Sequence, residues 1–291
     1  MSVHTRHSVV VGIDVSEPAR VAARWAVREA DTLRRPLVVI HAFAAKAIAM
    51  ASLTMPGGVT AEIPLRHAAE VRLREIVDYC RAVAPDVEVT GEFVDGDPVE
   101  VLAAAGTGAP MLVVGSSGAG AVARVLLGST SSELVRKATA PVVVVRGEDV
   151  ADGSVQRVVV GVDGSPTSIR AVEFGYDFAG RHNAELVAVH AWHDHPFAQL
   201  TTDTEDARTR APAVLAESLA GMAQRYPDVP VREVVSDEKP VHALLDQVGD
   251  RTLLVVGSHG RGALGRMLLG SVSHAVLHYA PCPVAVLRSA E

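Results

Sequence analysis

Short runs of valine, leucine and isoleucine alternate along this chain with longer segments in which apolar residues recur at helical spacing. Runs that are apolar on both faces are typical of parallel strands covered by helices on both sides. The first half predicts strands near 8–13, 37–42, 87–93, 111–114 and 142–145, and helices near 17–34, 62–83, 98–105 and 128–139. The second half predicts strands near 157–162, 185–191, 231–235, 252–256 and 283–287, and helices near 166–182, 206–225, 240–248 and 269–279.

The two halves repeat each other. The run that ends at Asp14 returns in the run that ends at Asp163, and the run around His41 returns around His190. A repeat of this length indicates a duplicated domain rather than a solenoid of short units. We therefore predict domains over 1–146 and 156–291, joined by a polar linker at 147–155. The second copy is seven residues shorter, and long loops at 44–61 and 193–203 are the natural place for that difference.

A glycine motif occurs once in each repeat, directly after the fourth predicted strand. Gly115-Ser-Ser-Gly118 is followed after nine residues by Gly128-Ser129, and Gly257-Ser-His-Gly260 is followed after nine by Gly270-Ser271. Glycine exposes backbone N–H groups without a Cβ in the way, and the helix start that follows adds unpaired donors and the positive end of its dipole. The spacing therefore indicates a binding loop for an anionic nucleotide.

The carboxyl ends of the first and fourth strands lie together in an open parallel sheet whose order reverses between them, and ligands bind at such a point. Asp14 would then meet Gly115 there, and Asp163 would meet Gly257.

These features resemble the universal stress protein family in its tandem, ATP-binding form, which carries a Gly-x2-Gly-x9-Gly-Ser/Thr motif after strand four. The resemblance covers nearly the whole chain. It implies two flavodoxin-like, adenine nucleotide alpha hydrolase-like α/β domains, each with a five-stranded parallel sheet in the order 3-2-1-4-5. It also implies a nucleotide whose adenine lies near strands one and two, beside the main chain of Ala42 or Ala191.

The residues expected to contact nucleotide are therefore those of strands one and two, the glycine loop and the following helix start. In the first repeat they are Gly12, Asp14, Ala42, Gly115, Gly118, Gly120, Gly128, Ser129 and Thr130. In the second they are Gly161, Asp163, Ala191, Gly257, Gly260, Gly262, Gly270, Ser271 and Val272.

Simpler explanations exist for several of these residues. The glycine loops are also compatible with tight turns, and Asp14 and Asp163 with caps of the helices that follow them. His41 and His190, at the ends of apolar strands, are compatible with packing residues.

Two further groups leave similar alternatives. His193-Asp194-His195 resembles a metal-binding pair but has no third ligand nearby in sequence. Arg124 and Arg266 occupy equivalent places between the glycines and either screen phosphate or face solvent.

Composition limits the remaining function classes. The net charge of −7 and the lack of a basic block argue against a nucleic-acid partner. No apolar run reaches membrane-spanning length, and the first strand begins too early for a signal peptide. The only cysteines, Cys80 and Cys282, fit a reducing cytoplasm.

The expected function is nucleotide binding rather than catalysis. The loops contain no lysine, so they do not form a Walker motif, and no catalytic triad is spaced as a motif. We therefore expect a cytoplasmic, ATP-binding regulator or sensor of stress or growth, aided by Mg²⁺ or Mn²⁺, with hydrolysis slow at most. The family resemblance implies a homodimer or an intramolecular pseudo-dimer; no protein partner is indicated. The alternatives are a slow nucleotide hydrolase or transferase on the same fold, and an interaction module that binds no nucleotide.

Overall fold

Parallel strands and the helices between them account for most of the first half of the chain. The computed structural model describes residues 3–45, 62–116, 127–146, 155–192, 204–260 and 269–288. The chain divides into two units, Met1–Gly153 and Ser154–Glu291. Residues 147–154 of the predicted linker and most of the predicted loops at 44–61 and 193–203 lie outside the described residues.

The first unit begins with a short 3-10 helix, Val3–His7, and then alternates strands with helices. Its elements are β1 (Val9–Ile13), α1 (Glu17–Leu33), β2 (Leu37–Phe43), α2 (Glu62–Val83), β3 (Val89–Asp95), α3 (Pro98–Ala105), β4 (Leu112–Gly115), α4 (Ser129–Lys137) and β5 (Val142–Val145). The strands form a parallel sheet in the order β3-β2-β1-β4-β5. This is the predicted 3-2-1-4-5 order.

The second unit repeats this plan. Its elements are β6 (Arg157–Gly161), α5 (Pro166–His182), β7 (Glu185–Ala191), α6 (Thr204–Leu219), α7 (Met222–Arg225), β8 (Val231–Ser236), α8 (Pro240–Leu245), β9 (Thr252–Gly257), α9 (Ser271–Tyr279) and β10 (Val284–Leu287). These strands are also parallel, in the order β8-β7-β6-β9-β10, so the second unit has the same strand order as the first.

One predicted helix is wrong. A single helix was expected over 206–225, but it is divided into α6 and α7. Gly221 lies between them with φ of +78°, a left-handed conformation that a continuing right-handed helix does not allow. The helix predicted over 240–248 is also shorter and ends at Leu245.

The core of each unit consists of valine-rich strands packed against the apolar faces of helices. Its largest fully buried side chains include Trp25, Ile40 and Leu112 in the first unit, and Tyr176, Phe178 and Leu253 in the second. Cys80 and Cys282 are buried free thiols, and burial raises the pKa of Cys80 to about 12. Within the described residues, no helix combines the length and the apolar character needed to cross a bilayer.

Candidate nucleotide site

Two predicted site residues of the first unit, Asp14 and Gly115, lie at one edge of its sheet. β1 pairs in parallel with β4, with Gly12 opposite Val114, so both strands reach their carboxyl ends side by side. Asp14 follows the first of these strands and Gly115 ends the second. This is the point at which the strand order reverses, where open α/β sheets bind ligands.

The second unit makes the same arrangement independently. β6 pairs in parallel with β9, with Val160 opposite Val255. Asp163 follows β6 after one further residue, and Gly257 ends β9. Each unit therefore places an aspartate and the first glycine of the motif at equivalent positions.

Both aspartates are held in tight turns rather than capping a helix themselves. The backbone N–H of Ser16 donates to Oδ1 of Asp14 at 2.9 Å, and that of Ser165 donates to Oδ1 of Asp163 at 2.8 Å. The serines are the N-caps of α1 and α5. The idea that the aspartates are the caps is therefore wrong, because each carboxylate instead orients the residue that caps the helix.

The first glycine of each loop is required by packing. A Cβ on Gly115 would lie 2.9 Å from the carbonyl oxygen of Pro18, and one on Gly257 would lie 2.7 Å from Oγ1 and 3.0 Å from the carbonyl carbon of Thr167. The end of the fourth strand therefore presses directly against the first turn of the helix that follows the first strand. Side chains other than hydrogen do not fit at either position.

The glycines within the first strands of the two units differ in how much space a side chain would have. A Cβ on Gly12 would lie 2.5 Å from Cδ1 of the buried Leu102, whereas one on Gly161 would make ordinary contacts, at 3.4 Å or more, with Val256 and Leu244. The absence of a side chain at Gly12 is thus explained by α3.

The helix starts after the loops have no side-chain cap. Gly128 and Gly270 occupy the N-cap positions of α4 and α9, and neither has a side chain with which to accept a hydrogen bond. Ser129 and Thr130, and likewise Ser271 and Val272, form the beginning of the first turn. The N–H groups of such a turn have no partner within their helix, so they are available to an anion.

These helix starts are attached to the ends of the fourth strands. In the first unit the N–H of Gly128 donates to the carbonyl of Ser116 at 2.8 Å, and the Ser131 hydroxyl donates to the carbonyl of Gly115 at 2.7 Å. In the second unit Gly270 and Ser273 make the same two bonds to Ser258 and Gly257, at 2.8 and 2.5 Å. The uncapped turn therefore lies beside the strand end that faces the aspartate.

The second loop brings its second glycine to the aspartate. A Cβ on Gly260 would lie 2.7 Å from Oδ2 of Asp163. The residue before Gly260 is His259, and hydrogen bonds hold its main chain in place. Its carbonyl oxygen accepts from Thr167 Oγ1 at 2.5 Å and from Ser165 Oγ at 3.4 Å. Sequence reasoning missed Thr167, because nothing in a local pattern marks a helix residue as a contact of a loop that lies far along the chain.

Several predicted residues cannot be compared with this geometry. Gly118, Gly120, Gly262, Arg124 and Arg266 lie outside the described residues, and so do His193, Asp194 and His195. Among the residues that the structure does describe, no group of three or more histidines, cysteines or acidic residues is arranged to hold a metal ion.

Strand two of each unit ends at the same edge of the sheet. Ala42 lies opposite Val94 on β3, and Ala191 lies opposite Ser236 on β8. Both alanines are partly exposed near the carboxyl ends of their strands. Their main-chain groups therefore lie at the same edge of the sheet as the aspartates.

The histidines one residue earlier behave differently in the two units. Nδ1 of His190 lies 2.6 Å from the carbonyl oxygen of Val162, which is a hydrogen bond. His41 is equally buried and stacks on Phe93, but its Nδ1 makes no hydrogen bond with the described residues. Burial lowers the pKa of His41, while the charge of Asp14 and the nearby carbonyl of Ile13 oppose that shift without reversing it.

Comparison with known proteins identifies the family. The sequence profile of the universal stress protein family matches residues 5–146 and again residues 154–288. The chain belongs to the universal stress protein family. It is 42% identical to universal stress protein Rv2005c of Mycobacterium tuberculosis, and the alignment covers 97% of both chains. The expected tandem form is thereby confirmed.

A solved structure agrees on the fold. A universal stress protein from Archaeoglobus fulgidus superposes with a TM-score of 0.69 at 23% identity, covering 99% of this chain and 100% of its own. A universal stress protein solved in complex with cAMP matches 48% of this chain and 97% of its own, at 27% identity and a TM-score of 0.35.

Proposed function

We propose that each unit of this universal stress protein binds ATP, and that the protein acts in the cytoplasm as a nucleotide-dependent regulator or sensor in stress response or growth control. One observation carries this proposal. In both units an aspartate, a glycine strand end and an uncapped helix start lie at the edge of the sheet where the strand order reverses. A loop that serves only as a turn does not require these three features to lie together.

The helix start is the part suited to phosphate. Its unpaired N–H groups and the positive end of the helix dipole favour an anion, and the hydroxyl of Ser129 or Ser271 adds a donor at the first helical position. Because Gly128 and Gly270 bring no capping side chain, an incoming phosphate oxygen meets no competing acceptor from the N-cap residue.

A divalent cation has a defined role in this arrangement. Asp14 or Asp163 would share the crevice with phosphates of the same sign, and a cation between them removes that repulsion. Mg²⁺ commonly binds through one or two protein carboxylates together with substrate phosphates. One aspartate per unit fits that mode, and Mn²⁺ has similar preferences.

The adenine is expected beside strand two. The main chain of Ala42 or Ala191 offers one donor and one acceptor at the sheet edge, which suits the amino edge of a purine. Specificity would then depend on backbone geometry, so the alanine side chains need not themselves recognise the base.

Nucleotide hydrolysis or transfer is the second candidate, and one contact favours it. Ser258 Oγ lies 2.7 Å from Nδ1 of His259, so a hydroxyl and a possible base are paired within the second loop. Ser258 is only 1% exposed, however, which keeps the hydroxyl from an external phosphate. A single-turnover assay with labelled MgATP, run on wild type and on His259→Gln, separates the two functions: retention of intact ATP supports a sensor.

Binding is tested by isothermal titration calorimetry with MgATP. We expect about two nucleotides per chain, because the motif is complete in both repeats. Gly118→Val and Gly260→Val should each remove one site, while the exposed helical variant Gly180→Ala should leave both. Fewer than one site per chain at saturating MgATP would overturn the proposal.

A further inference from the structure

The first unit carries a cation–aromatic cluster that its sequence motif does not include. The guanidinium of Arg66, on α2, lies 4.9 Å above the ring of Phe93 and 5.7 Å from that of Phe43, and the two rings are 5.5 Å apart. Asp95 accepts three hydrogen bonds from the guanidinium, from Nη1 to Oδ1 at 2.9 Å, from Nη2 to Oδ2 at 3.1 Å and from Nη1 to Oδ2 at 3.2 Å. The Nε of Arg66 also donates to Oε1 of Glu70 on the same helix, at 3.3 Å. We refer to Arg66, Asp95, Phe43 and Phe93 as the Arg66 cover.

The cover lies at the rim of the proposed base position. In the register of the sheet, Ala42 is opposite Val94 and Phe43 is opposite Asp95. Neighbouring strands are about 4.8 Å apart, so the backbone of Asp95 is roughly one strand spacing from the main chain that would meet the adenine. The end of β3 therefore borders the base on the side away from β1.

A continuous line of contacts joins the cover to the rest of the site. Phe93 stacks on His41 at 5.5 Å, and His41 is close enough to Asp14 for that carboxylate to influence its pKa. The Arg66 cover is thus the outer end of a chain of contacts that begins at the nucleotide crevice.

The second unit keeps an aromatic residue at one of the two ring positions, Trp192 where the first has Phe43, but not at the other. His190 is opposite Val235, which takes the register position of Phe93 and is 41% exposed. Arg208 is the residue equivalent to Arg66, because each arginine precedes a buried alanine of its helix by three residues. These alanines are Ala211 and Ala69. Among the residues that the structure describes, no ion pair joins Arg208 to Asp237.

Stability does not account for the Arg66 cover. The side chains of Arg66 and Asp95 are 38% and 53% exposed, and exposed ion pairs add little to folding stability. What the bidentate contact does achieve is orientation, because it fixes the planar guanidinium over the ring of Phe93.

We infer that Arg66 is a specificity-determining residue of the first nucleotide site, an inference that rests on the proposed ATP binding. Adenine presents its amino group and N1 to a main-chain donor and acceptor, so this edge faces strand two. A substituent on the amino nitrogen is then directed past β2 toward β3 and meets the Arg66 cover. The first site rejects N6-substituted adenine nucleotides, whereas the second, with the smaller Val235 at the matching position, accepts them.

The experiment compares ATP with N6-benzyl-ATP by calorimetry. The first site is measured in Gly260→Val chains and the second in Gly118→Val chains. We expect the ratio of the two dissociation constants at the first site to exceed that at the second by about tenfold or more, the scale at which a pocket discriminates by size. Arg66→Ala should bring the first-site ratio down to that of the second, and so should Asp95→Ala, which removes the bidentate partner of the guanidinium.

Controls separate this role from charge and from folding. Arg74→Ala removes an exposed arginine from the same helix, and Arg208→Ala removes the equivalent residue of the second unit; neither should change its site's ratio. The melting temperature of Arg66→Ala should stay close to that of wild type. Absence of ATP binding in both single-site chains would overturn the proposed function itself. Normal ATP binding with an unchanged ratio in Arg66→Ala, or an equal change in Arg74→Ala, would overturn only the role of Arg66.

Discussion

Gly260 faces Asp163 so closely that a Cβ on the glycine would lie 2.7 Å from Oδ2 of the aspartate. The other carboxylate oxygen is held by the N–H of Ser165 at 2.8 Å. Any side chain at Gly260 therefore has to move the carboxylate that we assign to the cation and phosphates. The glycine loop and the aspartate, which are separate motifs in the sequence, act as one feature of the site.

This contact predicts that Gly260→Ala loses nucleotide while remaining folded. The backbone of Gly260 is not in a left-handed conformation, and the atom that the Cβ meets is the movable end of a side chain. We expect a loss of at most about 1 kcal/mol in the free energy of unfolding. A ligand at a hundredfold excess over Kd stabilises the native state by about 2.7 kcal/mol, and this gain should vanish at the second site.

Differential scanning fluorimetry with and without MgATP measures the effect in a Gly118→Val background, which leaves only the second site. Gly180→Ala is the matched control, since its Cβ would lie 3.5 Å from its nearest neighbour in an exposed part of α5. An ATP-induced shift in Gly260→Ala as large as in the control would show that the loop is only a turn.

The first glycines should give the opposite result. Alanine at Gly115 or Gly257 places a Cβ against backbone atoms of Pro18 or Thr167, which cannot move without displacing a helix start. Overpacking of this kind costs about 1–3 kcal/mol. Urea unfolding without nucleotide should show the loss, and Gly161→Ala, with its nearest contact at 3.4 Å, should show less. Wild-type stability in Gly115→Ala would argue against the close approach of β4 and α1.

His41 should make the stability of the first unit depend on pH. Its folded-state pKa is lowered, chiefly by burial, so the unfolded chain binds a proton more readily. The stabilisation is therefore complete above the unfolded value of about 6.5 and is lost as pH falls from there to the lowered folded value. His41→Gln should flatten the stability curve below about pH 6.5.

Urea midpoints measured at several pH values test this expectation. His67→Gln, which removes an exposed imidazole from α2, is the control for the loss of a histidine. Identical pH curves for wild type and His41→Gln would contradict it.

The two sites should also differ in salt dependence. The second loop contains His259 and Arg261 where the first has Ser117 and Ala119, so an additional cation is available to phosphate. We expect tighter binding at the second site in dilute buffer. This advantage should fade between about 0.01 M and 1 M salt, over which the Debye length falls from about 30 Å to about 3 Å. Equal affinities of the Gly118→Val and Gly260→Val chains in dilute buffer would refute the prediction, and Arg261→Ala should equalise the sites.

The sequence by itself determined the duplication, the order of strands and helices and the place of the glycine loops. These features depend on local properties: valine runs favour strands, and the serines at 16 and 165 cap the helices that follow them. The family resemblance supplied the strand order, which brings Asp14 beside Gly115 at one sheet edge. Where a local signal was misread, as at Gly221, the consequence was confined to one helix.

Only the tertiary structure decided what particular residues are for. Gly115 and Gly257 were assigned to phosphate, yet their size is set by Pro18 and Thr167, far away along the chain. The Arg66 cover likewise joins a helix to two strand ends, and the spacing of its residues in the sequence does not predict these contacts. Such contacts depend on how helices and strands that are distant in the sequence pack against one another. Equivalent positions in two similar repeats can therefore differ, as Phe93 and Val235 do.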